Sequence, residues 1–211
     1  MKTLSNIELC NKYCAKQALI GEIFKFDIEE STDDVILMEY VENYLDKNII
    51  EIPTFVTKIS DGIGRKGKMF YGVRQSLKVI YRGTQIKSMD NMFDSYYGKE
   101  LDLSCFNTSG VESMSAMFMN CRNIIKLDLS NFDTRKVKNM SMMFSTCMRL
   151  NELNIRNFKT TEVREVIAMF TGCIELNKVD LSSFDVTNIR DMSEMFWGSN
   201  LTCENTGLRS K

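Results

Sequence analysis

The sequence predicts an α/β solenoid of stacked coils, and two observations carry this prediction. A 26-residue unit recurs four times without an insertion, and its copies begin at Leu101, Leu127, Leu153 and Val179. Each copy opens with alternating apolar and polar residues and continues with apolar residues at spacings of three, four and three, except that the fourth copy has Ser199 at the last of these positions. A period of this length is typical of proteins whose repeats stack side by side and bury one continuous core.

Each repeat is predicted to contain a short strand, a turn and a short helix. The stretch Leu127-Asp128-Leu129 alternates as a half-buried strand does, and Asp133-Thr134 offers a turn and a helix N-cap. The helix is predicted from apolar residues that would share one helical face, namely Val137, Met140, Phe144 and Cys147. Stacked repeats then align their strands in a parallel sheet, with neighbouring strands about 4.8 Å apart.

The regular repeats occupy residues 101–198, and the flanking segments follow other patterns. Residues 1–47 are predicted to form an N-terminal α/β cap, with a strand at 23–28 and an amphipathic helix at 35–45. Residues 48–100 are predicted to form irregular coils, with strands at Ile49–Ile52 and around Leu77–Tyr81 and with a basic loop. Residues 199–211 lose the pattern and are predicted to be a C-terminal cap or tail.

The composition argues against several classes of chemistry. The chain has no histidine, so catalytic triads and the commonest metal sites lack their usual residue, and we predict no enzyme activity, metal or cofactor. Its formal net charge of −1 gives no overall attraction to nucleic acid or anionic lipid. The first residues contain no apolar leader and no apolar run could span a bilayer, so we expect a cytoplasmic protein without a membrane or small-molecule partner.

The seven cysteines are predicted to be thiols, as is usual in a cytoplasmic protein. Three of them, Cys121, Cys147 and Cys173, share one column of the stacked repeats. A spacing of about 4.8 Å between neighbours would permit a disulfide. A column of small buried thiols on the apolar side of the repeats is the expected state.

The repeat motif L-D-L-S-x-F-D-T-x-x-V-x-x-M-x-x-M-F-x-x-C resembles the leucine-rich repeats of the bacterial surface antigen A-like proteins, also described as mycoplasma lipoprotein-like repeats. The resemblance covers residues 101–198 closely and residues 77–100 loosely. It implies a right-handed leucine-rich-repeat solenoid with the parallel sheet on its concave face and short helices on its convex face. It also implies protein–protein contact without catalytic residues. Many members are secreted adhesins, whereas this chain is short and has no signal peptide.

Polar residues at the strand positions form the first candidate binding surface. In a repeat solenoid these positions line the concave face. The middle column carries a carboxylate in three of the four repeats, and a cationic partner would relieve the repulsion between stacked carboxylates. The alternative is an ordinary solvated face whose charge is offset by flanking basic residues. The candidate partner-binding residues are Asp102, Lys126, Asp128, Glu152, Asn154, Arg156, Lys178 and Asp180.

A basic segment at residues 58–87 forms the second candidate surface. Residues 56–90 carry eight Lys or Arg against two Asp, whereas residues 1–47 carry five basic against ten acidic residues. The segment therefore predicts contact with nucleic acid, a nucleoprotein or another anion. The alternative is that the acidic cap covers it. The candidate residues are Arg65, Lys66, Lys68, Arg74 and Arg82.

Three functional hypotheses follow. The first is a non-catalytic protein-interaction module, namely a small cytoplasmic inhibitor or adaptor; one encoded by a phage or mobile element and acting on a host nucleic-acid enzyme would suit the size and the basic segment. The second is a nucleic-acid or anion binder that uses residues 58–87. The third is a surface adhesin lacking its export signal.

Overall fold

The computed structural model describes residues 5, 8, 24–29, 34–40, 49–54, 56–59 and 69–209, with the backbone alone for 24–29, 34–40 and 59. Most of the predicted cap at 1–47 lies outside these residues. The described part consists mainly of short strands and turns, and the repeats are joined by hydrogen bonds, most of them between residues that are 22 to 29 positions apart.

The first sheet is formed by three strands near the N-terminus. They are β1 (Phe24–Glu29), β2 (Asp34–Tyr40) and β4 (Lys58–Ile59). The order is β1-β2-β4, with β1 antiparallel and β4 parallel to the central β2. The strand predicted at 23–28 is confirmed, but the helix predicted at 35–45 is wrong over β2. The run Val35-Ile36-Leu37-Met38 is short and β-branched at its start, so pairing with β1 decides its conformation where spacing alone does not.

The parallel strands of the repeats lie in two further sheets. One contains β3 (Ile49–Ile52), β5 (Leu77–Tyr81) and β6 (Leu101–Asp102) in the order β3-β5-β6, and the other pairs β7 (Lys126–Asp128) with β8 (Glu152–Asn154). All these pairings are parallel, as predicted. In β5 the side chains of Leu77, Val79 and Tyr81 are buried and those between are partly exposed. Residues 178–182 are not a strand, so the predicted fourth strand is not formed there.

The predicted helix of each repeat is wrong, because the segment is a chain of turns. Alternate amides bond outward to the next repeat: Met140 donates to Glu165 (3.0 Å), and Phe144 donates to Met169 (3.0 Å). The amides between them close local turns, as when Cys147 donates to the carbonyl of Phe144 (3.1 Å). No amide of this segment is left for the helical i→i−4 bond. We call these segments, residues 88–96, 113–121, 139–147, 165–173 and 191–199, the turn ladder.

Left-handed residues explain why the turn ladder imitates a helix in sequence. Met142 and Thr146 have φ of 56° and 60°, and the equivalent positions of the other repeats are also left-handed. Successive turns therefore advance four residues at a time, which reproduces the spacing of one helical face. The core assignment stands, since Val137, Met140, Phe144 and Cys147 are each at most 2% exposed.

Identical side chains stack from one repeat to the next in the core. The rings of Phe118, Phe144 and Phe170 lie parallel, with centroids 5.7 Å and 5.5 Å apart. The Thr134 hydroxyl accepts from the Lys159 amide (2.7 Å) and donates to its carbonyl (3.0 Å). Asp133-Thr134 thus joins two repeats and does not cap a helix. These columns bind each repeat to its neighbours only, as in other repeat arrays.

The last repeat is covered on its strand side by the C-terminal residues. Helix α1 (Cys203–Thr206) begins at the N-cap Thr202 and ends at Gly207, which is left-handed with φ of 68°. The Leu181 amide donates to the Thr206 carbonyl (2.9 Å), and Leu208 is buried. On the turn-ladder side, the described residues offer no acceptor to the outward amides of the last repeat, which belong to Met192, Glu194, Phe196 and Gly198.

Candidate functional site

Five of the predicted polar residues lie in strands β6, β7 and β8, and the other three occupy equivalent positions of the repeats; we call these eight residues the strand face. They are Asp102, Lys126, Asp128, Glu152, Asn154, Arg156, Lys178 and Asp180. Two hollows of about 450 Å³ and 550 Å³ adjoin on this face. Lys126 and Asp128 line both hollows, and Lys178 borders the second although its segment is not a strand. The repeats thus bring six of the eight residues to two adjoining hollows, and Arg156 and Asp180 line neither of them.

The middle column of the strand face is partly neutralised by the protein itself. Lys78 of β5 pairs with Asp102 of β6, with 2.7 Å between Nζ and Oδ2. The hydrogen bond from Lys78 lowers the pKa of Asp102 to about 2, and the amide of Ser104 adds a second bond (2.9 Å). Lys78 was predicted as part of the basic segment, and the register of β5 and β6 brings it beside this carboxylate.

The other carboxylates of this column are held by amides and hydroxyls. Asp128 accepts from the Ser130 backbone amide (3.0 Å), which lowers its pKa, and from the Asn154 side chain (2.9 Å). Asp180 accepts from the Ser182 hydroxyl (2.6 Å), which likewise lowers its pKa. The expectation that stacked carboxylates call for a cationic partner is therefore weakened, because Asn154 stands between two of them and Lys78 offsets another.

The flanking column alternates in charge along the stack. Glu100, Lys126, Glu152 and Lys178 follow one another in successive repeats. Lys126 and Glu152 form an ion pair (2.7 Å) in which both side chains remain more than 60% exposed. Such an exposed pair contributes little to stability, about 0 to 1 kcal/mol. These charges are therefore free to exchange their present contacts for those of a partner at small cost.

The basic segment is not gathered into one surface within the described residues. Arg82 pairs with Glu51, Lys78 with Asp102, and Lys87 approaches Glu112 at 3.9 Å. Arg65, Lys66 and Lys68 lie outside the described residues. Arg74 is exposed and lines a cleft whose lining does not include Arg82. The tertiary structure thus distributes the basic residues of this segment among acids of neighbouring strands.

Arg74 instead joins residues from two later repeats, which sequence reasoning missed. A cleft of about 500 Å³, here called the edge cleft, is lined by Arg74, Ser76, Tyr97, Lys99, Arg122 and Asn123. It lies at the residues that precede the strands of three successive repeats. No contiguous motif marks this cleft, because its three cations are 25 and 23 positions apart.

The thiol column matches its predicted reduced state. Cys121, Cys147 and Cys173 are free and buried. The Cys147 thiol donates to the Phe118 carbonyl (3.1 Å), and the Cys173 thiol donates to the Phe144 carbonyl (3.0 Å). Burial raises the pKa of both Cys147 and Cys173. Buried thiols of this kind are inert.

Two features are absent from the described part of the chain. Among those residues, no cluster of three or more cysteine, aspartate or glutamate side chains could hold a metal ion. In the same residues, no helix has both the length and the apolar character that crossing a bilayer requires.

Comparison with known proteins identifies the family. A family model described as "Mycoplasma protein of unknown function, DUF285" matches residues 67–153 and residues 87–207, which together are more than half of the chain. The chain belongs to this family. No curated protein matches the sequence. The family covers the stacked repeats and the edge cleft, and its description assigns no activity to either.

Among solved structures, the chain is similar to a leucine-rich repeat protein from Bacteroides ovatus ATCC 8483. The two sequences are 14% identical, and the TM-score is 0.42. The match covers 76% of this chain and 46% of that protein, so the chain spans about half its length.

Proposed function

We propose that the protein is a non-catalytic repeat protein that binds another protein through its strand face and acts as an inhibitor or adaptor. In this proposal the repeats form a right-handed leucine-rich-repeat solenoid, and the strand face is its concave side. The observation that carries the proposal is the pair of adjoining hollows, whose exposed side chains alternate in charge and are held on stacked repeats.

The alternating charges of the strand face indicate what kind of surface the partner presents. A surface with acids and bases in alternation complements another mixed surface better than a polyanion, because each sign is met by its opposite. Complementarity of this kind sets orientation and association rate more than affinity. A partner would also cover the apolar stems of the lysines that project from the strands.

Charge-reversal variants test the proposal. The double variant K126E/K178E reverses two charges of the strand face, and K136E/K159E makes the same change at exposed lysines outside it. We expect a partner captured by the unaltered chain at one-to-one stoichiometry to bind the first variant at least about tenfold more weakly. The second variant should bind as the unaltered chain does. Equal weakening by both variants, or no stoichiometric partner, would contradict the proposal.

The cellular location is a separate prediction. A cytoplasmic location is one hypothesis, and export as an adhesin, which the resemblance to surface antigens implies, is the other. Fractionation of the source cells, with detection by antibody, separates these two hypotheses, and the coding sequence upstream of Met1 provides a second check.

A further inference from the structure

Among the described residues, the edge cleft concentrates positive charge without an acid. Of its six lining residues, Arg74, Lys99 and Arg122 are cations, and none is a carboxylate. Lys99 also borders the first hollow of the strand face, where Glu100 lies. The two sites therefore adjoin, but their charge differs: the strand face is mixed, and the edge cleft is cationic.

Within the described part of the chain, the three cations of the edge cleft form no ion pair, as is also true of other exposed basic residues such as Arg149 and Lys178; what sets the three apart is that they line one hollow. Lys78, Lys126 and Lys138 each pair at 2.7 Å with an acid of a neighbouring repeat. Within the described part of the chain, none of the three cations of the cleft has an acid within 4.0 Å. Like charges around one hollow repel, and an anion bound between them relieves that repulsion.

The backbone around the edge cleft is held by the buried Tyr96. Its hydroxyl accepts from the Leu77 amide (3.1 Å) and lies 2.6 Å and 2.7 Å from the carbonyl oxygens of Gln75 and Glu100. A side chain at Gly98 would collide with that hydroxyl, so only glycine fits there. The Asn123 side chain donates to the Tyr97 carbonyl (2.9 Å) and joins the next repeat to this wall. The cations thus project from a backbone that is already in place.

We propose that the edge cleft binds a small molecule that carries a phosphoryl group. Guanidinium groups present planar forks of donors that suit phosphate oxygens, and Lys99 adds a point charge. Ser76 and Tyr97 line the same hollow, and their hydroxyls would supply neutral donors. A volume of about 500 Å³ exceeds that of a bare ion and falls in the range of small-ligand pockets.

Nucleic acid fits this site less well than a small phosphorylated molecule. A strand of nucleic acid needs a basic track that follows several phosphates. The adjoining first hollow of the strand face is instead lined by Glu100, Asp102 and Asp128, whose carboxylates would repel the phosphates of a strand that extended from the cleft on that side. The proposal is independent of protein binding by the strand face, so either can fail while the other stands.

Titration of the full chain with inorganic phosphate and pyrophosphate, followed by calorimetry or amide chemical shifts, tests the proposal. We expect saturable binding, with shifts at residues 74–76, 97–99 and 122–123. Binding should weaken from pH 7.5 to pH 5, since phosphate and pyrophosphate each take up a proton and lose negative charge over this interval. Each of Arg74→Gln and Arg122→Gln should weaken binding about tenfold or more, whereas R149Q, which changes an exposed arginine outside the cleft, should not.

Several results would overturn the proposal. They are the absence of saturable binding, equal binding of acetate and phosphate, and equal weakening by R149Q. Single-stranded oligonucleotides that bind far more tightly than pyrophosphate, with a salt dependence of several phosphates, would assign a nucleic-acid surface instead. All three arginines are exposed, so unchanged circular dichroism should show that the variants fold.

Discussion

Removing one ring from the phenylalanine stack should show how strongly each repeat depends on its neighbours. The Phe144 ring is fully buried and stacks on Phe118 at 5.7 Å and on Phe170 at 5.5 Å. Truncation of a buried phenylalanine to alanine costs about 3 to 5 kcal/mol through lost burial and the cavity that remains. Since two ring contacts are lost together, we expect F144A to lie at the upper end of this range, at about 4 to 5 kcal/mol.

Phe196 provides a matched control at the same repeat position. It stacks on Phe170 alone, at 6.0 Å, and is partly exposed because no further repeat covers it in the described chain. We therefore expect F196A to cost about 1.5 to 2.5 kcal/mol. The comparison isolates burial and stacking, because the residue type and the substitution are identical.

Urea denaturation followed by circular dichroism measures both changes in the free energy of unfolding. Native domains are stable by about 5 to 15 kcal/mol, so F144A should remove a large fraction of the total. If F196A costs as much as F144A, or if F144A costs less than about 2 kcal/mol, the stack does not contribute as argued here. An altered slope of the transition in only one variant would show that the repeats unfold separately.

Three further predictions concern single groups. A thiol reagent at pH 8 should modify the exposed Cys105 and Cys203 rapidly and should not modify the buried cysteine column until the chain unfolds. Peptide mass mapping measures this difference, and rapid modification of Cys147 would contradict its burial. The pKa of Asp102 is lowered from 3.8 to about 2. The ionised side chain should therefore stabilise the fold above pH 4, and this contribution should be lost as the pH falls to 2. Because the side chain is 46% exposed, we expect the contribution to be at most about 1 kcal/mol. Denaturation curves at several pH values should show this loss in the unaltered chain and not in D102N, and identical pH profiles would count against the ion pair. The Phe170 amide donates to the Met195 carbonyl (2.9 Å) and should exchange its hydrogen slowly. The Phe196 amide has no acceptor among the described residues and should exchange its hydrogen fast. Equal protection of the two amides in a hydrogen-exchange experiment would mean that the last repeat is covered in solution.

The apolar columns could be predicted from the sequence because they follow from period alone. Each repeat must bury the same side against its neighbours, so the leucine, phenylalanine, methionine and cysteine positions recur at 26 residues wherever the stack is regular. The burial of these residues and the parallel pairing of the strands can be predicted once it is known that an equivalent repeat lies alongside. The outward residues of the three short strands, Asp102, Lys126, Asp128, Glu152 and Asn154, were predictable for the same reason, since alternation in a strand fixes which side chains point outward.

The turn ladder could not be predicted from the sequence, because side-chain spacing does not show which carbonyl accepts the hydrogen bond of each backbone amide. The pattern Val137, Met140, Phe144, Cys147 suits a helical face and a series of four-residue turns equally well. One signal was present: the left-handed column that contains Thr146 has asparagine at 120 and glycine at 172 and 198, which are residues that tolerate positive φ and weaken a helix. Hydrogen bonds to carbonyls of the adjacent repeat then favour the turns over the helix.

By itself, the sequence determined that the repeats stack, which side chains form the core and which polar side chains face outward. The tertiary structure decided the backbone path between the strands, the pairing of Lys78 with Asp102, and the meeting of Arg74, Lys99 and Arg122 in one cleft. The physical reason is the range of the interactions. Burial depends on a pattern within one repeat, whereas hydrogen bonds and ion pairs depend on atoms that only stacking brings within about 3 Å.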